Sequence, residues 1–144
     1  MKEPDILAAL KPVVKAFTEV GVAYQIGGSV ASSAYGSARM HKVDVFVLKE
    51  RPYDLQAFER ARTDTLAEDD PTPFRLASPE DVILNKLEWY RKGDHVSDRQ
   101  WTDVLGVIKV QGSALDLAYL RYWANELGVS DLLEEALTQA GLRA

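Results

Sequence analysis

The stretch Tyr24-Gln25-Ile26-Gly27-Gly28-Ser29-Val30-Ala31-Ser32-Ser33-Ala34-Tyr35-Gly36 constrains the fold more than any other, because a short apolar run stops at two glycines and a serine and then takes on a helical pattern. A strand that turns this tightly into a helix favours residues with no Cβ at the turn. The turn also leaves free N–H groups and the positive end of the helix dipole facing outward, an arrangement that suits an anion such as a phosphate. Taken as a bare tripeptide, Gly27-Gly28-Ser29 also reads as an ordinary strand-to-helix turn with Ser29 as its N-cap.

Around this corner the chain divides into legible segments. Ile6, Leu7, Leu10, Val13, Val14 and Phe17 recur at helical spacing over residues 6 to 19, and Gly21 stands where a C-terminal cap belongs. Pro12 inside that pattern predicts a kink or a late start. Val22 to Ile26 is a strand feeding the corner, and Val30 to Tyr35 a short helix ending at Gly36. Val43-Asp44-Val45-Phe46-Val47-Leu48 has the composition of a buried strand interrupted by one acid, which is costly unless paired or liganded. A helix is expected over about 54 to 61. Weaker strands, Thr63 to Ala67 and Phe74 to Ala77, flank the polar loop Glu68-Asp69-Asp70-Pro71-Thr72-Pro73, which reads as solvated loop more readily than as a cation site.

The second half is helical. Ser78-Pro79-Glu80-Asp81 supplies an N-cap, a proline at the first helical position and acids in the first turn of a helix running to about Lys92. Ser97-Asp98-Arg99-Gln100 is a capping box opening a helix with Trp101, Val104, Leu105 and Ile108 on its apolar stripe, ending near Gly112. Two more helices carry Leu117, Leu120, Ala124 and Leu127, closed by Gly128, and Leu132, Leu133, Ala136, Leu137 and Ala140, closed by Gly141. The expected architecture is α/β in the broad sense (α+β): residues 1–77 form a small mixed sheet with flanking helices, and residues 78–144 form a bundle of about four helices within one domain. The function should lie where the halves meet.

Composition narrows the function classes. A chain of 144 residues with 47% hydrophobic content can bury one sizeable core. No apolar run approaches the roughly 18 residues of a membrane span. Met1-Lys2-Glu3-Pro4-Asp5 lacks a signal peptide's basic-then-apolar order, so a cytoplasmic protein with no membrane partner is expected. The absence of cysteine excludes disulfides, thiolate zinc sites and cysteine nucleophiles. Net charge is −5 and the cations are scattered, which argues against an extended nucleic-acid surface while leaving room for a nucleotide. His41 and His95 have no partner at metal-ligand spacing, and Ser29 has no evident relay partners. Trp89, Tyr90, Trp101 and Trp123 sit at helical spacing and read as core before they read as a base-stacking platform.

Gly27-Gly28-Ser29 on a strand-to-helix turn, Tyr35-Gly36, Arg39, and then Ser78-Pro79-Glu80-Asp81 with Lys86 together resemble the nucleotidyltransferase superfamily of polymerase-β-like fold, in particular the minimal prokaryotic nucleotidyltransferase-like proteins, some of which belong to toxin–antitoxin and phage-defence pairs. The resemblance covers nearly the whole chain. It implies that Gly27, Gly28 and Ser29 hold a nucleoside triphosphate and that Lys86 approaches its phosphates, although a snorkelling surface lysine is the simpler reading of Lys86. It also implies an Asp-x-Asp pair and a third carboxylate holding two Mg²⁺ ions, the hard-oxygen site that in-line phosphoryl transfer requires.

The chain departs from that pattern where the acids should stand. Lys42 and Phe46 occupy the positions that would place a second acid on the same strand face as Asp44. Asp44 is either a remnant of the pair or the third carboxylate on a later strand, with the Asp-x-Asp segment missing; the run from Lys42 to Asp54 resembles the later element more. On either reading Asp44 is a vestigial catalytic residue and a weak Mg²⁺ ligand. A module that binds a nucleotide or a protein is therefore expected. The alternatives are an active minimal enzyme transferring a nucleoside monophosphate to a hydroxyl, and an antitoxin-like interaction partner. A shortened sheet exposes an edge, so a homodimer is expected, with exchanged elements if the short connection from Arg39 to Val43 keeps corner and strand from meeting in one chain.

Overall fold

The computed structural model describes residues 6–27, 44–47, 49–67, 70–93 and 98–142. The expected helix after the glycine corner, Gly28, Ser29 and Arg39, the acids Glu68 and Asp69, and the Ser97 cap lie outside the described residues. Within them the order is α1 (Ile6–Glu19), β1 (Tyr24–Gly27), β2 (Asp44–Val47), α2 (Pro52–Arg60), β3 (Arg62–Ala67), β4 (Asp70–Leu76), α3 (Pro79–Lys92), α4 (Asp98–Gln111), a 3₁₀ turn at Gly112–Ala114, α5 (Leu117–Leu127) and α6 (Ser130–Gln139). The architecture is α+β, a small mixed sheet with flanking helices followed by a C-terminal helical region.

The sheet runs β2-β1-β4-β3. Strands β1 and β2 are antiparallel, with Tyr24 opposite Val47 and Gly27 opposite Asp44. Corner strand and acid-bearing strand therefore meet within one chain. The geometric reason for exchanging elements between copies falls away, because β2 folds back directly onto β1. Strand β4 joins β1 in parallel at Ile26 and Leu76, and β3 in antiparallel from Arg62–Leu76 to Ala67–Asp70.

Alternation divides the two faces. Phe74 and Leu76 turn to one side and, with Ile26, bury Leu10 and Val14 of α1. Arg75 turns to the other, where it donates to the Phe58 carbonyl of α2 at 2.8 Å. Helix α1 runs through Pro12 without interruption, and α2 starts at Pro52, where the missing N–H costs nothing.

The polar segment read as loop is largely strand: Asp70 to Pro73 belong to β4. Pro73 fits because of the edge it faces. Ala77 donates its N–H to the Ile26 carbonyl, so alternation aims positions 75 and 73 toward the β1 side of β4, and beyond Pro73 the pairing with β3 shifts register. Pro73 thus removes an N–H donor from the stretch of β4 that extends past β1, the usual way a sheet blunts an edge.

The helical half is built around α3. Ser78 caps it by accepting the Asp81 N–H at 3.1 Å. Val82, Ile83, Leu84 and Leu87 are fully buried against Val104, Val107 and Ile108 of α4, Leu120 of α5, and Leu133 and Leu137 of α6. Each such side chain contributes about 1.5–3 kcal/mol. Gly128 ends α5 at φ 74°, a conformation that a Cβ would strain, while the Val129 N–H returns to the Ala124 carbonyl at 2.8 Å. Tyr90, Trp101 and Trp123 pack on this core as expected, whereas Trp89 is 57% exposed.

Restoring the donor with Pro73→Val is expected to make the chain self-associate more strongly with concentration than the parent in analytical ultracentrifugation. Unchanged association would contradict the edge-blunting role of Pro73.

Candidate functional site

Two parallel strands end side by side, and the rest of the site follows from that. The Ile26 carbonyl accepts the Ala77 N–H at 3.0 Å, so the strand entering the glycine corner and the strand entering the N-terminus of α3 reach the same edge of the sheet. Ligands of open α/β sheets gather at such carboxyl ends. Gly27 closes β1, and Asp44 stands directly across from it as the first residue of β2. Two residues before Gly27, Gln25 is buried, and its Oε1 accepts no hydrogen bond. A buried acceptor in that condition costs about 1–3 kcal/mol, so it is a group ready for a donor.

Behind the strand ends lies a buried polar cluster at the junction of the two halves. Asp81, in the first turn of α3, has no exposed surface. Its carboxylate accepts the Tyr119 hydroxyl of α5 at 2.6 Å and the Ser78 hydroxyl at 2.7 Å. Tyr53 of α2 donates to the Asn85 amide oxygen at 2.8 Å. Beside it, Arg60 pairs with Glu80 at 2.6 Å and lies 3.9 Å from the centre of the Tyr119 ring. The other oxygen of Glu80 accepts the Asp116 N–H at 3.3 Å. One cluster thereby joins α2, α3 and α5.

Burial sets the protonation of this cluster. It pushes the Asp81 carboxyl up against the opposing pull of the Tyr119 and Ser78 hydrogen bonds. Burial, with Asp81 adding to it, drives the Tyr53 and Tyr119 hydroxyls well above their ordinary range, so both tyrosines stay protonated donors.

Lys86 is no surface lysine. It is 4% exposed, and its Nζ donates to Gln100 at 3.0 Å and to Asp103 at 3.3 Å. A phosphate at Lys86 would have to compete with Asp103 for the ammonium. Removing one partner from a buried pair of this kind costs about 3–5 kcal/mol, because the other charge is left alone. Asp103 is itself buried and turns inward to α3.

No family model matches the chain, and no curated protein matches it significantly. The site therefore rests on its own geometry. Among the described residues no three acids or histidines converge as a metal cage would require. What the described residues offer chemically is a pair of adjoining strand ends, one acid position opposite Gly27 and the unpaired carboxamide oxygen of Gln25. Sequence reasoning brought Gly27, Asp44 and the Ser78-Pro79 turn to one place. It missed Gln25, Tyr53 and Tyr119. A polar residue inside the apolar run before the glycines was the available signal for Gln25; the tyrosines carried none.

The folded chain holds the Asp81 proton more tightly than the unfolded chain, since burial raises its pKa above the ordinary 3.8. Stability is then lost as pH rises above that value through the folded pKa, and the loss is complete beyond it. Urea unfolding across this range is expected to show wild type losing stability relative to Asp81→Asn as pH increases. A pH-independent difference would contradict the burial argument.

Proposed function

We propose that this chain is a nucleotidyltransferase-fold protein that keeps the phosphate-binding corner without metal-dependent transfer, and that it acts in the cytoplasm as a nucleotide-binding or protein-binding module. One observation carries the reading: the Ala77 N–H to Ile26 carbonyl bond sets the corner strand beside the N-terminus of α3. Phosphate oxygens held there by backbone N–H groups need no metal. A nucleoside triphosphate is the proposed ligand, with Gly27, Gly28 and Ser29 taking its phosphates and Gln25 accepting a donor from its sugar or base.

Transfer chemistry needs several converging acids for two Mg²⁺ ions. Among the described residues Asp44 is the acid paired across from Gly27, and Asp81 is already engaged by Tyr119 and Ser78. Mg²⁺ is therefore proposed to add little. Calorimetry is expected to return ATP affinities within about threefold, roughly 0.7 kcal/mol, with and without Mg²⁺ and for Asp44→Asn. Label transfer from ATP that Asp44→Asn abolishes would overturn the reading in favour of an active enzyme.

The outer edge of β3 gives the module a place to meet another chain, because Arg62, Thr63, Asp64 and Thr65 are exposed along it. A homodimer paired along this edge is proposed, and light scattering is expected to report twice the chain mass at high concentration. A single-chain mass throughout leaves the edge to a different protein partner.

A further inference from the structure

A second cleft lies away from the strand ends, on the far side of the sheet's length. It encloses about 460 Å³ between the C-terminal end of α1, the turn before β1, the β3–β4 hairpin and Phe58 of α2. A volume of that size suits a small organic molecule. Its position has a cause in the sequence. Strand β4 extends past the start of β1, and Pro73 offers no N–H to a further strand in the gap, so the notch stays open beside Phe74.

The lining is apolar and aromatic, with Val14, Tyr24, Phe58, Pro73 and Phe74 around it, and Arg75 is the one charged residue among those that form it. The Arg75 guanidinium lies 4.9 Å from the centre of the Phe58 ring, and its Nη2 donates to the Phe58 carbonyl. The Nε–H is buried and has no acceptor, and no carboxylate is paired with Arg75 among the described residues. A cation bordering an apolar cleft with a buried donor unused calls for an anion on an apolar body, since a guanidinium edge matches a planar carboxylate.

We infer that this cleft binds a small aromatic monocarboxylate, its ring in the gap that β4 leaves beside the start of β1 and its carboxylate on Arg75. The body is aromatic because three rings, from Tyr24, Phe58 and Phe74, border the space and favour offset or edge contacts with a flat partner. The charge is single because one cation faces it. This site is independent of the nucleotide reading, and either can fail alone.

The probe is 2-naphthoate, with neutral 2-naphthamide as its control, titrated into the full chain by calorimetry and by ¹H–¹⁵N NMR. The acid is expected to bind at least about tenfold tighter than the amide, the size of one charged hydrogen bond, and to shift the Phe74 and Arg75 amides. Arg75→Gln is expected to remove that preference while leaving the amide's affinity unchanged. Thr63→Trp, an exposed strand position on the cleft wall that tolerates a large ring, is expected to abolish binding of both compounds without loss of the fold. Equal affinity for acid and amide, an acid preference that survives Arg75→Gln, or binding retained by folded Thr63→Trp would each overturn the assignment. If Arg75→Gln does not fold, the Thr63→Trp result decides. Failure to bind 2-naphthoate at millimolar concentration also overturns it.

Discussion

A carboxylate with no access to water organises this molecule. Asp81 is held by hydroxyls from Ser78 and Tyr119, and through these contacts the first turn of α3 is fixed to α5. Tyr53 brings α2 to the same turn through Asn85. An isolated buried charge would be prohibitive, so every neighbour that satisfies Asp81 is committed to one position. The result is a rigid seat for the N-terminus of α3, and that seat decides where β4 ends.

From there the sheet is determined in short steps. Strand β4 leads into α3, β1 joins β4 at Ile26 and Leu76, and β2 returns along β1 to set Asp44 across from Gly27. The glycine corner thus inherits its position from a polar cluster in the other half of the chain. The same cluster engages both carboxylates in the first turn of α3, Glu80 with Arg60 and Asp81 with Ser78 and Tyr119.

Much of this was legible in the residues. The helices announce themselves through Ser78-Pro79, the apolar spacing of α4 to α6, and Gly128 and Gly141 where positive φ ends a helix. The β2 strand and the place of Asp44 in it were likewise written in the β-branched run. What could not be read was long-range. Asp70-Pro71-Thr72-Pro73 looks like loop because proline breaks interior strands, and only the register reveals that position 73 faces an open edge. Lys86 looks like surface because its partners, Gln100 and Asp103, lie on the next helix. Tyr53 and Tyr119 are ordinary helical aromatics until the fold brings both to α3.

The central claim is that phosphates sit at the strand ends beside α3 without help from a metal. Its most direct test is ¹H–¹⁵N NMR of the full chain titrated with ATP in the presence of a chelator. The account predicts saturable shifts at the amides of Gly27, Gly28, Ser29, Asp44 and Ser78. Shifts confined to other surfaces, or none at millimolar ATP, would contradict it.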